Sequence, residues 1–331
     1  MRALLLTVIL VASLPAPLWG DPWRSQADCA AAMRARKPLP LPAGTVRVAT
    51  WNLDGLPAAL PGAPPKGPGR DGAWLACAIA WLQADVVALQ GVGVGRGADA
   101  AMRALTAALG RLTQAKWDLR LDTCTSKGHQ RVGLLWNTRR LKATKISVEG
   151  LLNPHRKACH LGQRPGLRGY FKAPGGLDFH LVSVHLPEGG QMSAFRLRDQ
   201  VFDNLKEAYQ AAWRAEPDPD VLVAGVWNVV GCPACPGAGT PEQALSRMIR
   251  RLTALDPSFR AYPSNLSCTR LGSGEGDLVS QFVSSRSFVE LARANVRVRG
   301  LCDALSCAAQ AEGAAPPPAA VALSRHCPVT L

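Results

Sequence analysis

ATWNLDGL (49–56), DVVALQGV (85–92), LVSVHLPEGG (181–190), VLVAGVWNVV (221–230) and LSRHCPVTL (323–331) decide the fold of this chain. Each contains a run rich in Val, Leu and Ala, as expected of a strand covered on both faces, together with a polar tip. The tips present Asn52, His185, Asn228 and His326, hydrogen-bonding side chains suited to a phosphate group. Strand ends gather side chains from distant sequence, so these segments can build one cleft that no single motif encodes.

The intervening segments alternate as in an α/β chain. A Pro/Gly loop (57–72) precedes an apolar helix around 73–83, and an Ala/Leu-rich amphipathic helix spans 98–112. WDLRLDTC and RVGLLWN read as neighbouring strands, with a further strand near 142–149. GLRGYFKAPGGLDFHLVSVHL reads as a hairpin turning at Gly175-Gly176. Residues 191–214 are predicted to form the longest helix, with Phe195, Val201, Phe202, Leu205, Tyr209 and Trp213 facing the core. A helix over 241–255 and strands at QFVSS and LSRHCPVTL follow, and AEGAAPPPAA (311–320) reads as a surface loop. Neither half closes a core alone. The pattern therefore predicts a four-layer α/β/β/α sandwich, two mixed sheets packed face to face with helices outside.

Residues 1–20, MRALLLTVILVASLPAPLWG, combine an early Arg, an apolar run and small or turn-forming residues before Asp21, which is the pattern of a secretory signal peptide. The run is shorter than the about 20 residues that span a bilayer, and no later segment is long and apolar enough to cross one. The expected organisation is a signal peptide (1–20), an N-terminal lead-in holding Cys29 and the Pro-rich KPLPLPAG (21–44), and the main domain (45–331), with a secreted or periplasmic location. Ten cysteines in an exported chain predict disulfides, with Cys232–Cys235 and Cys302–Cys307 as the two local pairs. Cys232-Pro-Ala-Cys235 has redox-motif spacing but is read as a structural bridge. A net charge of +14 favours anionic partners. The basic residues are dispersed, however, so charge alone leaves a solubility role equally open.

The ordered tips TWN, LQG, VH, GVWN and SRH resemble the TWN, LQE, VH, GDWN and SDH tips of the endonuclease/exonuclease/phosphatase superfamily, which includes DNase-I-like nucleases and sphingomyelinases. The resemblance covers roughly 45–331 and implies the DNase-I-like fold and Mg²⁺-dependent phosphoester hydrolysis. By that resemblance Asn52 matches the Asn that helps hold Mg²⁺ and phosphate, and His185 matches the His that contacts the scissile phosphate. Asn228 and His326 match the Asn of GDWN and the His of SDH. The departures fall on the acids. Gly91 stands for the metal-binding glutamate, Val226 for the Asp that orients the attacking water, Ser280 for the Asp of a Leu-x-Asp-His tip, and Arg325 for the SDH aspartate.

Mg²⁺ is held by carboxylates and water, and an amide oxygen alone is a weak ligand. Arg325 adds a charge of the metal's own sign; two like charges 4 Å apart repel by roughly 4 kcal/mol at intermediate dielectric. Val226 cannot act on a water proton, and each such loss costs about 10² to 10⁴ in rate. The leading expectation is a secreted pseudoenzyme, with no cofactor, that binds a phosphorylated ligand or nucleic acid through Arg325, His185 and His326. Two other readings stay open. One is an active Mg²⁺-dependent phosphodiesterase or nuclease with Asp54 or Glu188 as relocated metal ligands. The other is a structural or protein-interaction module. Asp54, Glu188 and Asp277 are expected to be solvated loop carboxylates. The oligomeric state is not legible.

Overall fold

The structure, a computed structural model, describes residues 21–35, 38–56, 71–124, 130–160, 162–271, 277–308 and 315–331. The predicted signal segment lies outside them. The chain runs α1 (Gln26–Arg34), β1 (Val48–Leu56), α2 (Gly72–Trp81), β2 (Val86–Val92), α3 (Arg96–Thr113), β3 (Trp117–Leu121) and β4 (Arg131–Asn137). There follow β5 (Lys142–Glu149), β6 (Gly166–Lys172), β7 (Asp178–His185), α4 (Met192–Ala215), β8 (Val221–Val226), α5 (Pro241–Thr253), β9 (Phe259–Tyr262) and β10 (Ser280–Ser285). The last elements are β11 (Arg297–Val298), α6 (Leu301–Ala304), α7 (Pro318–Ala322) and β12 (Val329–Thr330).

The strands form two six-stranded sheets, ordered β11-β12-β1-β2-β4-β3 and β5-β6-β7-β8-β10-β9. Both are mixed: β1 runs parallel to β2 and β7 parallel to β8, while their other pairings are antiparallel. Side-chain alternation sorts the faces. Val86, Ala88, Phe171, Leu181, Leu222 and Phe282 build the core between the sheets. Trp51, Leu53 and Leu89 pack outward with α2 and α3, and Val182, Val184 and Val223 with α4 and α5. The result is the predicted α/β/β/α sandwich. A polar seam crosses its middle: Gln90 Nε2 donates to Ser183 Oγ at 3.1 Å, and Ser183 Oγ donates to Leu89 O at 2.9 Å.

Local chemistry sets the helix ends. Asp71 accepts from the Ala73 and Trp74 amides at the start of α2, and Thr240 with Gln243 forms a capping box ahead of Pro241 on α5. Residues Trp74–Ala80 of α2 are buried throughout, as an all-apolar helix requires. The Cys29–Cys77 disulfide ties α1 to it, and Trp23 packs edge-on to Trp51 and Trp81.

Four expectations are corrected. Cys302 bonds Cys327 and Cys307 bonds Cys268, because the turn of α6 sends the two side chains to different neighbours. The Cys232–Cys235 bridge is as predicted, and Cys124–Cys159 completes the set. Trp213 is 50% exposed rather than in the core. At 24 residues α4 is about 36 Å long, whereas the six residues of β8 span about 20 Å, so the end of the helix overshoots the sheet. Within the predicted 311–320 loop, α7 begins at Pro318 and buries Ala319 and Ala320; residues 309–314 lie outside the described residues. In the 323–331 segment only Val329–Thr330 is a strand, and the histidine tip precedes it as a loop. No helix of the described residues is long and apolar enough to cross a membrane.

Non-reducing peptide mapping should recover 302–327 and 268–307 linkages and no 302–307 peptide. Phe282→Ala, which empties a fully buried site between the sheets, should cost about 3–5 kcal/mol in urea denaturation.

Candidate functional site

The register of the two sheets brings the predicted tips to one end of the sandwich. Asn52 is paired with Gln90 just before the β1–β2 ladder shifts. Its Oδ1 accepts from the Asp54 amide at 2.8 Å, a turn that Asp54 makes with φ of 51°. Its Nδ2 stands 3.3 Å from His326 Nε2. The Ser324–His326 loop is held against this strand end: Ser324 Oγ donates to Asn52 O at 2.7 Å, the His326 amide donates to Ser324 Oγ at 3.0 Å, and Trp51 Nε1 donates to His326 O at 2.9 Å. An amide nitrogen can only donate, so His326 Nε2 accepts and the ring proton sits on Nδ1. Nδ1 is buried with no hydrogen-bond partner among the described residues. Burial pushes the His326 imidazole down to about 3, with His185 and Arg270 adding to the effect and Asp54 and Glu188 opposing it. The ring is therefore neutral at pH 7.

Gly91 explains how Asn52 comes to lie there. It adopts φ of 69°, and a Cβ built on it would overlap Asn52 Oδ1 and stand 2.8 Å from the Asp54 amide nitrogen. The space next to a side chain at 91 belongs to the Asn52 amide.

In the second sheet His185, Val226 and Ser280 lie abreast on adjacent strands. All three are buried, and Ser280 Oγ has no partner among the described residues. The Val279 and Ser280 amides both donate to Thr269 Oγ1, each at 2.9 Å. Asn228, at φ of 49°, donates its side-chain amide to Leu186 O at 2.8 Å and so pins the exit of β7.

The three loop acids are not free in solvent as expected. Glu188 Oε1 lies 3.1 Å from His185 Nε2 and 3.5 Å from Arg164 Nη2. Asp54 Oδ2 lies 3.2 Å from Arg325 Nε, and Asp277 is ion-paired to Arg270. The contact with His185, against the opposing effect of burial, pulls the Glu188 carboxyl down to about 2, with Arg164 and His326 also contributing. Arg164 and Arg270 were missed from the sequence. Both lie in loops with no motif around them, and only their acid partners reveal them. Arg198 of α4 was missed as well. It is buried and donates from Nη1 to Pro187 O (2.9 Å) and Gly189 O (2.8 Å), bracketing Glu188.

These residues do not fit a Mg²⁺ ion. Asn52 Oδ1 already accepts from a backbone amide, position 91 has no carboxylate, Asp54 lies against Arg325, and Glu188 lies between His185 and Arg164. No cluster of three or more His, Cys, Asp or Glu able to hold a metal occurs among the described residues. What the strand ends do offer is buried donors beside cationic side chains, a combination that suits an oxyanion.

No protein-family model and no curated protein sequence matches the chain. Solved structures do. An endonuclease/exonuclease/phosphatase from Bacteroides vulgatus aligns over 86% of this chain and 97% of its own, at 12% identity and TM-score 0.55. The mannosyl-6-phosphatase Bt3783 of Bacteroides thetaiotaomicron aligns over 86% and 98%, at 12% identity and TM-score 0.54. The catalytic domain of human Nocturnin, solved with a bound sulfate anion, aligns over 86% and 92%, at 13% identity and TM-score 0.52. The chain thus has the DNase-I-like fold of endonuclease/exonuclease/phosphatase proteins.

The depressed His326 value carries a pH signature. Its folded value lies below the unfolded one of about 6.5, so its contribution to stability is complete above pH 6.5 and is lost as pH falls toward 3. His326→Gln should lessen the fall in urea midpoint between pH 7 and pH 4, where one proton contributes a slope of up to about 1.4 kcal/mol per pH unit.

Proposed function

We propose that this chain is an exported, catalytically degenerate protein of the endonuclease/exonuclease/phosphatase fold that binds a phosphorylated or polyanionic ligand at the strand-end cleft. The observation that carries the reading is at position 91, where the Asn52 amide fills the space a metal-binding carboxylate would need. Hydrolysis on this fold calls for a metal-polarised phosphate and an oriented water. Apolar Val226 and the alcohol of Ser280 supply neither function.

Ligand binding is supported by groups that lack partners. Buried polar atoms are ordinarily hydrogen-bonded, and Ser280 Oγ and His326 Nδ1 have no partner among the described residues. An oxyanion oxygen accepts from both kinds of donor. Arg325, with its side chain 62% exposed, and His185 stand at the same strand ends, and the net charge of +14 draws anions toward them. The sulfate bound to the Nocturnin domain is consistent with this chemistry on a related scaffold. Export is supported by the residue pattern of 1–20 and by five disulfides, which persist in oxidising compartments. The alternative of an active phosphodiesterase needs Asp54 or Glu188 as a metal ligand beside Asn52, whereas the Asp54 carboxylate lies against Arg325 and that of Glu188 against His185 and Arg164.

Nuclease, phosphatase and phosphodiesterase assays with Mg²⁺, Mn²⁺ or Ca²⁺ should stay at background, and calorimetric titration with Mg²⁺ should give no binding heat. Turnover abolished by His185→Ala would overturn the degenerate reading. Gly91→Glu should not restore Mg²⁺ binding, and should destabilise the fold by about 1–3 kcal/mol through its positive φ and the collision with Asn52. Retention on heparin should fall steeply between 50 and 200 mM salt, as on the order of 10³-fold weakening describes for several anion contacts.

A further inference from the structure

The loop after β7 places an acid where the proposed ligand would bind. Glu188 Oε1 reaches His185 Nε2 at 3.1 Å and Arg164 Nη2 at 3.5 Å. A carboxylate held between an imidazole and a guanidinium makes the contacts a phosphate or sulfate oxygen would make, since both are compact oxyanions recognised by the same donors. We propose that the Glu188 carboxylate is an internal stand-in for a ligand oxyanion, and that a phosphate or sulfate group binds His185 and Arg164 by displacing it. This rests on the anion-binding reading above and adds Arg164 as a binding residue and Glu188 as the group that limits affinity.

The geometry around Glu188 separates a fixed backbone from a movable side chain. Arg198, itself buried, holds the carbonyls of Pro187 and Gly189 on either side of it. Gly189 adopts φ of 102°, and a Cβ on Gly190 would stand 2.6 Å from Gly231 O, so the loop is packed closely against the 231 turn. The Glu188 side chain is nevertheless 55% exposed. It can therefore rotate into solvent without unfolding the loop, leaving its two partners behind. Arg164 is set for that exchange. Its side chain is only 15% exposed, its Nε donates to Gln130 O at 3.2 Å, and its Nη2 donates to Gln130 Oε1 at 3.1 Å, so its position does not depend on Glu188. Burial lowers the Arg164 guanidinium from its ordinary value while Glu188 and Asp122 hold it up, and a bound oxyanion would take over the role of Glu188.

A tethered group that fills a site reduces apparent affinity by the fraction of time the site is open. If Glu188 occupies the contacts about nine-tenths of the time, its removal tightens binding about tenfold. The experiment is calorimetric titration of inorganic phosphate and, separately, inorganic sulfate into the full mature chain, the Glu188→Gln and Glu188→Asp variants, and Glu188→Gln combined with Arg164→Met. Glu207→Gln, which alters an exposed pair with Arg156, is the control. Both single variants at 188 should bind both anions more tightly, with Glu188→Gln gaining about tenfold. Arg164→Met should remove that gain, and the control should match the parent. Parent binding with no gain in either variant at 188 overturns the stand-in while leaving the anion-binding reading intact. Absence of binding in the parent and in every variant, each with an unchanged circular dichroism spectrum, overturns both.

Discussion

Phe171, Leu181 and Phe282 close the space between the two sheets, so a charge at this end stays at the strand tips, partly in solvent, and is best placed against a partner of opposite sign. Three acids and three arginines meet that requirement together. Glu188 is joined to Arg164 and His185, Asp54 to Arg325, and Asp277 to Arg270. Each of these carboxylates lies against a cationic side chain that the proposed ligand anion would contact in its place.

The residues that stand where the resemblance calls for acids are consequently tied to their surroundings. Gly91 permits a positive φ and leaves a volume that Asn52 enters; Asn52 then engages the Asp54 amide and His326. Turned by this contact, Asp54 faces Arg325, the residue that stands where the resemblance calls for an acid. One end of the first sheet thus settles into a network in which Asn52, Asp54, Ser324 and Arg325 each meet another polar group, while His326 Nδ1 stays without a partner among the described residues. In the second sheet Val226 and Ser280 continue the strand pattern, and among the described residues the Ser280 hydroxyl and the neighbouring Gln281 Nε2 are left without a hydrogen-bond partner.

Disulfides brace both the helical layer and this end. Cys29–Cys77 anchors α1 over the apolar α2, and Cys302–Cys327 links α6 to the segment that carries His326. A cross-link restricts the unfolded chain, which suits a protein whose histidine tip is carried by a loop rather than by a paired strand.

The sandwich and its buried strands ending in polar tips were legible in the sequence, because burial on both faces writes a continuous apolar run wherever a central strand lies. Helix and strand periods are local quantities that neighbouring residues determine. The length of α4 relative to its sheet, the partners of Cys302 and Cys307, and the fate of Asp54, Glu188 and Asp277 were decided only by tertiary structure. Asp54 and Arg325 are 271 positions apart, and Cys268 and Cys307 are 39 apart. Such contacts depend on where loops converge in space, and no periodicity along the chain records that distance.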